Sequence, residues 1–133
     1  MNAPFRQTRK FELIQSTPRL LQVLKQGKVL WTFVCVLGQG PRCIKRMRIT
    51  RISKKDQVVY YEYRDPGLAR EMGKKRNHQF SGQHHFSTLL QGYRGVCLTK
   101  EAANYHLRRN KRAYARDIDN RAAEEDDRDL LMS

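Results

Sequence analysis

The chain has 133 residues, 39% hydrophobic and 30% charged, with 27 Lys and Arg against 13 Asp and Glu for a formal charge of +14. That length supports one small domain and excludes a second sizeable core. A charge this positive makes nucleic acid the expected partner, ahead of an anionic membrane surface or an acidic protein.

Residues 1–10, with Arg6, Arg9 and Lys10, read as a flexible basic arm. Ser16 or Thr17 can cap a helix, Pro18 suits its first position and Gly27 suits a left-handed stop, so the punctuation predicts a helix over 17–26. Leu20, Leu21 and Leu24 give it one apolar face. About nine residues are too few for an isolated helix, so it must dock on something.

The longest apolar run follows, Val29-Leu30-Trp31-Thr32-Phe33-Val34-Cys35-Val36-Leu37. β-Branched and aromatic residues mark a strand over 28–37. Both its faces are apolar, which predicts a central strand covered on each side. The run is roughly half the length of a membrane span, which needs about 20 residues. With no secretory h-region visible, a soluble, cytoplasmic protein is expected.

Gly38 to Pro41 is a turn, and Arg42 to Ile52 the second strand. Its better core face is Cys43, Lys45, Met47, Ile49 and Arg51; the other, with Ile44, Arg46, Arg48, Thr50 and Ile52, would show Arg46 and Arg48 to solvent. Ser53 to Asp56 is a polar turn carrying Lys54 and Lys55. Gln57 to Arg64 is the third strand, with Val59, Tyr61 and Tyr63 opposing Val58, Tyr60 and Glu62, and Asp65-Pro66-Gly67 stops it.

Residues 68–72 read as a helical turn, and 73–85 as a basic, His-containing loop with Lys74, Lys75 and Arg76. A short apolar helix is expected at 86–91. Thr99 is a fitting N-cap for a long helix over 100–117. Its apolar seam is Ala103, Leu107, Tyr114 and Ile118, interrupted by Asn110, while Arg108, Arg109, Lys111, Arg112 and Arg116 clothe the rest. Residues 1–116 carry 25 basic and six acidic side chains; residues 117–133 carry two basic and seven acidic. A basic body with an acidic tail is the pattern.

The expected fold is α+β: an N-terminal helix plus a three-stranded antiparallel β-meander, followed by C-terminal helices and a disordered acidic tail. One domain spans 11–118, with its helix–strand core at 16–64 and its tail at 119–133. Helix–strand–strand–strand–helix resembles the double-stranded-RNA-binding domain in element order, without residues that carry over.

Phosphate binding needs several cations on one surface, and Arg adds bidentate geometry. The candidates are Arg46, Arg48, Lys54, Lys55, Lys74, Lys75, Arg76, Arg108, Arg109, Lys111, Arg112 and Arg116, with Tyr60 for base stacking. The three cysteines, Cys35, Cys43 and Cys97, lack CxxC spacing and read as free thiols. His78, His84, His85 and His106 fit no zinc-site spacing, so no metal and no cofactor is expected. No catalytic constellation stands out, and the expected activity is binding.

A small, very basic chain of this kind suits a phage or mobile-element accessory factor that binds DNA or RNA. A second reading is a protein-binding modulator or inhibitor of a host nucleic-acid enzyme. A third is a small metal-dependent nuclease using His84 and His85. The end Glu124–Met132 is similar in outline to the acidic, apolar-tipped tails of single-strand-binding proteins, and would offer Leu130-Leu131-Met132 to a protein partner. A homodimer over Trp31 and Phe33 is the alternative source of cover for the apolar run.

Overall fold

The computed structural model describes residues 11–132, with side chains as far as Glu125; the basic arm at 1–10 lies outside the described residues. In chain order the elements are α1 (Thr17–Val23), β1 (Val29–Val36), β2 (Gly40–Ser53), β3 (Val58–Arg64), α2 (Pro66–Glu71), β4 (Gln79–His85), α3 (Phe86–Leu90) and α4 (Lys100–Met132). The strands form one antiparallel sheet in the order β1-β2-β3-β4. The expected meander is therefore present with a fourth strand added, and the element order departs from helix–three strands–helix.

Ser16 caps α1, its hydroxyl accepting from the Arg19 amide at 3.4 Å, and Pro18 sits in the first turn. The helix ends at Val23, short of the expected 26. Gly27 turns the chain with φ +86° so that its amide reaches the Ile49 carbonyl at 2.7 Å. That bond already belongs to the approach of β1 to β2, and it competes with further helix.

β1 is an edge strand, correcting the expectation of a central one. Both its faces are covered all the same, Leu30 lying in one apolar cluster and Trp31, Phe33 and Cys35 in another. Trp31 exchanges both backbone hydrogen bonds with Cys97 at 2.9 and 2.8 Å, and Val96 does the same with Ile14 at 2.8 and 3.0 Å. The short segment at Val96-Cys97 thus lies along the free edge, and Ile14 pairs on its other side. Thr32, buried in this region, donates its hydroxyl to the Gly95 carbonyl at 2.9 Å.

The sheet's two faces hold two separate apolar clusters. On the first face Leu30, Met47, Ile49, Val59 and Tyr61 meet Leu20 and Val23 of α1 and Phe86 and Leu89 of α3. On the second, Phe33, Ile44, Trp31 and Cys35 meet Ala102, Ala103 and Leu107 of α4. Burying a ring such as Phe33 contributes about 1.5–3 kcal/mol, so this smaller cluster is enough to seat the helix. The cover expected over Phe33 is supplied by this chain's own helix.

Thr99 caps α4, accepting from the Ala102 amide at 3.1 Å. The seam docks as expected through Ala103, Leu107 and Tyr114. Asn110, the apparent interruption, donates to the Tyr93 carbonyl at 2.8 Å. At Gly40 (φ +73°) a Cβ would sit 2.5 Å from Cγ of Tyr114, so glycine is required for this approach. Ile118 is 41% exposed, past the docked part. The expected helix end near Asp117 is not a break: the backbone stays helical to Met132, and the acidic segment extends α4.

Two more corrections concern the strands. Residues 79–85, expected inside a loop, are β4, paired along its whole length with β3. In β2 the register shifts between Ile49 and Arg51, so that Arg51 faces Tyr60 and Ile52 faces Val59. Arg51 therefore leaves the expected core face and is exposed, while Ile52 packs on the first core cluster. Cys43, expected in the core, lies opposite Val34 at an uncovered end and is exposed.

Candidate nucleic-acid interface

Alternation along each strand assigns the second sheet face row by row. Val29, Arg48, Glu62 and Ser81 share one row across β1 to β4; Arg51, Tyr60 and Gln83 share the next. Trp31 pairs with Arg46, and Arg64 with Gln79. α4 covers this face only near Phe33 and Ile44. From Arg46 outward the described residues leave most of it bare: Arg46, Arg48, Arg51, Arg64, Gln79, Ser81, Gln83 and His85 are all exposed, while Val58 is buried.

Among the described residues, four arginines thus share this bare face with a single carboxylate. Glu62 stands 3.8 Å from Arg48, a loose and half-exposed pair that offsets little of the charge. Arg46, Arg48, Glu62, Arg64 and Gln79 line a shallow depression. Beside it the Arg51 guanidinium lies 4.1 Å from the centre of the Tyr60 ring. Tyr60 is half-buried.

The structure brings some expected residues together and separates others. Arg46 and Arg48 lie on the bare face as expected; Arg51 and Arg64 join them and were missed. Lys54 and Lys55 occupy the β2–β3 turn at one end of the sheet, and Lys74, Lys75 and Arg76 the α2–β4 connection at the other, where Arg70, Lys74 and Arg76 form a second basic cluster.

On α4, His106 bonds the Phe11 carbonyl, and Asn110 and Asp117 bond Tyr93, all on the flank toward the β1 edge. Helical spacing puts Arg108 about 140° round the helix from Ala103, on the outward side next to Arg112, and Lys111 about 80° round, on the flank away from His106. Arg109, Arg112 and Arg116 lie together on the outward side as well, Arg109 bonding the Tyr105 hydroxyl at 3.0 Å.

The covered face holds a polar chain in its less protected part. Lys45 Nζ donates to Tyr61 Oη at 2.8 Å, and Tyr61 Oη lies 2.9 Å from His84 Nε2. Burial, then the charges of Lys45 and Arg94, push His84 down to about 4. The imidazole is therefore neutral near pH 7, and Nε2 accepts the phenol proton. Burial also lifts Tyr61 to about 12 and, with Arg94, lowers Lys45. The Lys45 ammonium stands 4.1 Å from the Tyr63 ring centre and 4.8 Å from that of Tyr61.

His84 and His85, the pair considered for a nuclease, leave β4 on opposite faces: His84 opposite Val59 in the covered layer, His85 opposite Val58 on the bare one. They do not converge on one site. Among the described residues, no group of three or more His, Cys, Asp or Glu side chains is placed to hold a metal ion. No helix among them is long and apolar enough to cross a membrane.

The missed arginines left little trace. Arg64 looked like a strand terminus, and Arg51 was assigned to the wrong face because a pairing shift is silent in the alternation of side chains. Comparison with protein-family models, with curated proteins and with solved structures gives no match.

Proposed function

We propose that this protein binds nucleic acid on the bare face of its sheet, with Arg46, Arg48, Arg51 and Arg64 holding phosphates. The lysines of the two end loops extend the basic track. The observation that carries this reading is the sorting of charge: four exposed arginines and one carboxylate, among the described residues, on one face of the sheet. Such a surface repels itself in isolation, and a polyanion relieves the repulsion by releasing its own counterions.

Fluorescence anisotropy of labelled oligonucleotides across a salt series tests it. Four phosphate contacts give a log–log salt slope of about −3 to −4, and each arginine changed to alanine lowers its magnitude by about one. A flat salt response, or slopes untouched by Arg46→Ala and Arg48→Ala, overturns the reading. A flat response together with a nuclease-resistant protein complex points to docking on an acidic protein instead.

A further inference from the structure

We infer that the strand bound on this face is single-stranded, its sugar–phosphate backbone lying along β2 and its bases directed across β3 onto β4. The assignment rests on the proposed nucleic-acid binding and gives that site a substrate class and a polarity.

It follows from how side-chain chemistry is divided among the strands. β2 contributes charge to the bare face, Arg46, Arg48 and Arg51, and β3 adds the charges of Glu62 and Arg64 toward its C-terminal end. β4 contributes neutral hydrogen-bonding groups at every second position, Gln79, Ser81, Gln83 and His85, all exposed. Each of the four offers both donor and acceptor capacity, which reads the edge of a base and does little for a phosphate. Between the two strands, on β3, sits Tyr60, with Arg51 on one side of its row and Gln83 on the other. Ring and guanidinium are both planes on which a base stacks; the guanidinium lies over one face of the ring, 4.1 Å from its centre, and leaves its own outer face and the other face of the ring for a base.

A row thus runs from phosphate-binding group through stacking surface to base-edge reader over two strand spacings, each about 4.8 Å. A nucleotide whose base is splayed away from its backbone presents the same sequence of groups. A duplex does not, because its bases are paired and stacked inside, and a sheet face this wide enters neither groove of B-form DNA.

The test uses the full chain with a short single-stranded oligonucleotide, as RNA and as DNA, and with the duplex of the same sequence at matched salt. Single strands are expected to bind more tightly than the duplex. Tyr60→Ala should weaken single-strand binding about tenfold to a hundredfold with little change in salt slope, because stacking rather than counterion release is lost. Tyr60→Phe keeps the ring and should stay within about threefold of the parent.

Gln83→Ala should alter preference among oligonucleotides of different base composition, whereas Arg46→Ala should weaken all of them alike. Thermal melting of each variant separates lost binding from lost fold. Equal or tighter duplex binding, or single-strand affinity indifferent to Tyr60→Ala in a folded variant, overturns the assignment while leaving phosphate binding intact. Absence of binding to any oligonucleotide at low salt removes the underlying reading as well.

Discussion

Gly82→Ala probes the part of the fold least visible beforehand. Gly82 lies opposite Tyr61 in the β3–β4 ladder, and an added Cβ would stand 2.7 Å from both Cζ and Oη of that ring. Tyr61 is 2% exposed and bonded to Lys45 and His84, so the ring has no free direction in which to retreat. Overpacking of this kind costs about 1–3 kcal/mol. A displaced phenol would also forfeit two hydrogen bonds at about 0.5–1.5 kcal/mol each.

A total of roughly 2–6 kcal/mol corresponds to a fall in Tm on the order of 5–25 °C for a chain of this size. Calorimetry or circular-dichroism melting reads it directly. Tyr61→Phe alone should destabilise by leaving Lys45 and His84 without their shared partner. Combined with Gly82→Ala it should cost less than the two singles summed, because the Oη half of the clash is gone. A Tm for Gly82→Ala within about 2 °C of the parent would refute the packing of β4 on Tyr61.

Four further outcomes follow from the same geometry. Thr99→Ala removes the cap of α4 and should cost about 1 kcal/mol in urea unfolding; a change below a few tenths would deny the cap a role. His84 is held near 4 in the fold against 6.5 for the free side chain, so the unfolded chain takes up its proton first. Its contribution is complete above pH 6.5 and is lost as pH falls toward 4. The stability difference between parent and His84→Gln should shrink over that interval, and a pH-independent difference would contradict the burial of His84.

Alkylation of the native protein should modify exposed Cys43 first and spare Cys97, which is fully buried with its thiol pushed up to about 12. Peptide mass mapping checks this, and equal labelling of the two refutes it. Deleting residues 124–133 should leave melting unchanged, because the docked part of α4 ends before Ile118. The deletion should tighten low-salt oligonucleotide binding if the acidic end competes for the basic face, and an unchanged affinity shows that it does not.

Elements with local chemistry of their own were legible in the sequence. Ser16 and Pro18 announce α1, Thr99 announces α4, and the β-branched and aromatic runs announce β1 to β3. β4 was not legible. Gln79-Phe80-Ser81-Gly82-Gln83-His84-His85 has little strand propensity, and its structure comes from pairing with β3 along seven residues. The one available signal was the two-residue period of Phe80, Gly82 and His84 on the covered side.

The position of β1 was misread because apolarity on two faces reports cover on both, and an edge strand can have that too, with Leu30 in one cluster and Phe33 in the other. Of the candidate site, Arg46 and Arg48 were readable from alternation. Arg51 and Arg64 were not, since one depends on a register shift and the other on a strand neighbour that sequence did not show.

The register shift at Thr50 serves both faces of the sheet at once. Without it, simple alternation would turn the Arg51 guanidinium into the layer of Met47, Ile49 and Val59, which are 0%, 1% and 0% exposed, and would turn Ile52 out beside Tyr60. No carboxylate is described in that layer, and an unpaired buried guanidinium costs several kcal/mol. The shift exchanges the two residues: Ile52 joins the core and Arg51 meets Tyr60 on the bare side.

The extent of α4's cover follows from charge in the same way. Its apolar seam reaches Phe33 and Ile44, and the next residues along this face of the sheet are Arg46 and Arg48. Sliding the helix farther over the sheet would take these guanidinium groups out of water with only the loose Glu62 pair to offset them, so the cost of desolvation sets the border of its cover. The sheet stays open where it is most basic.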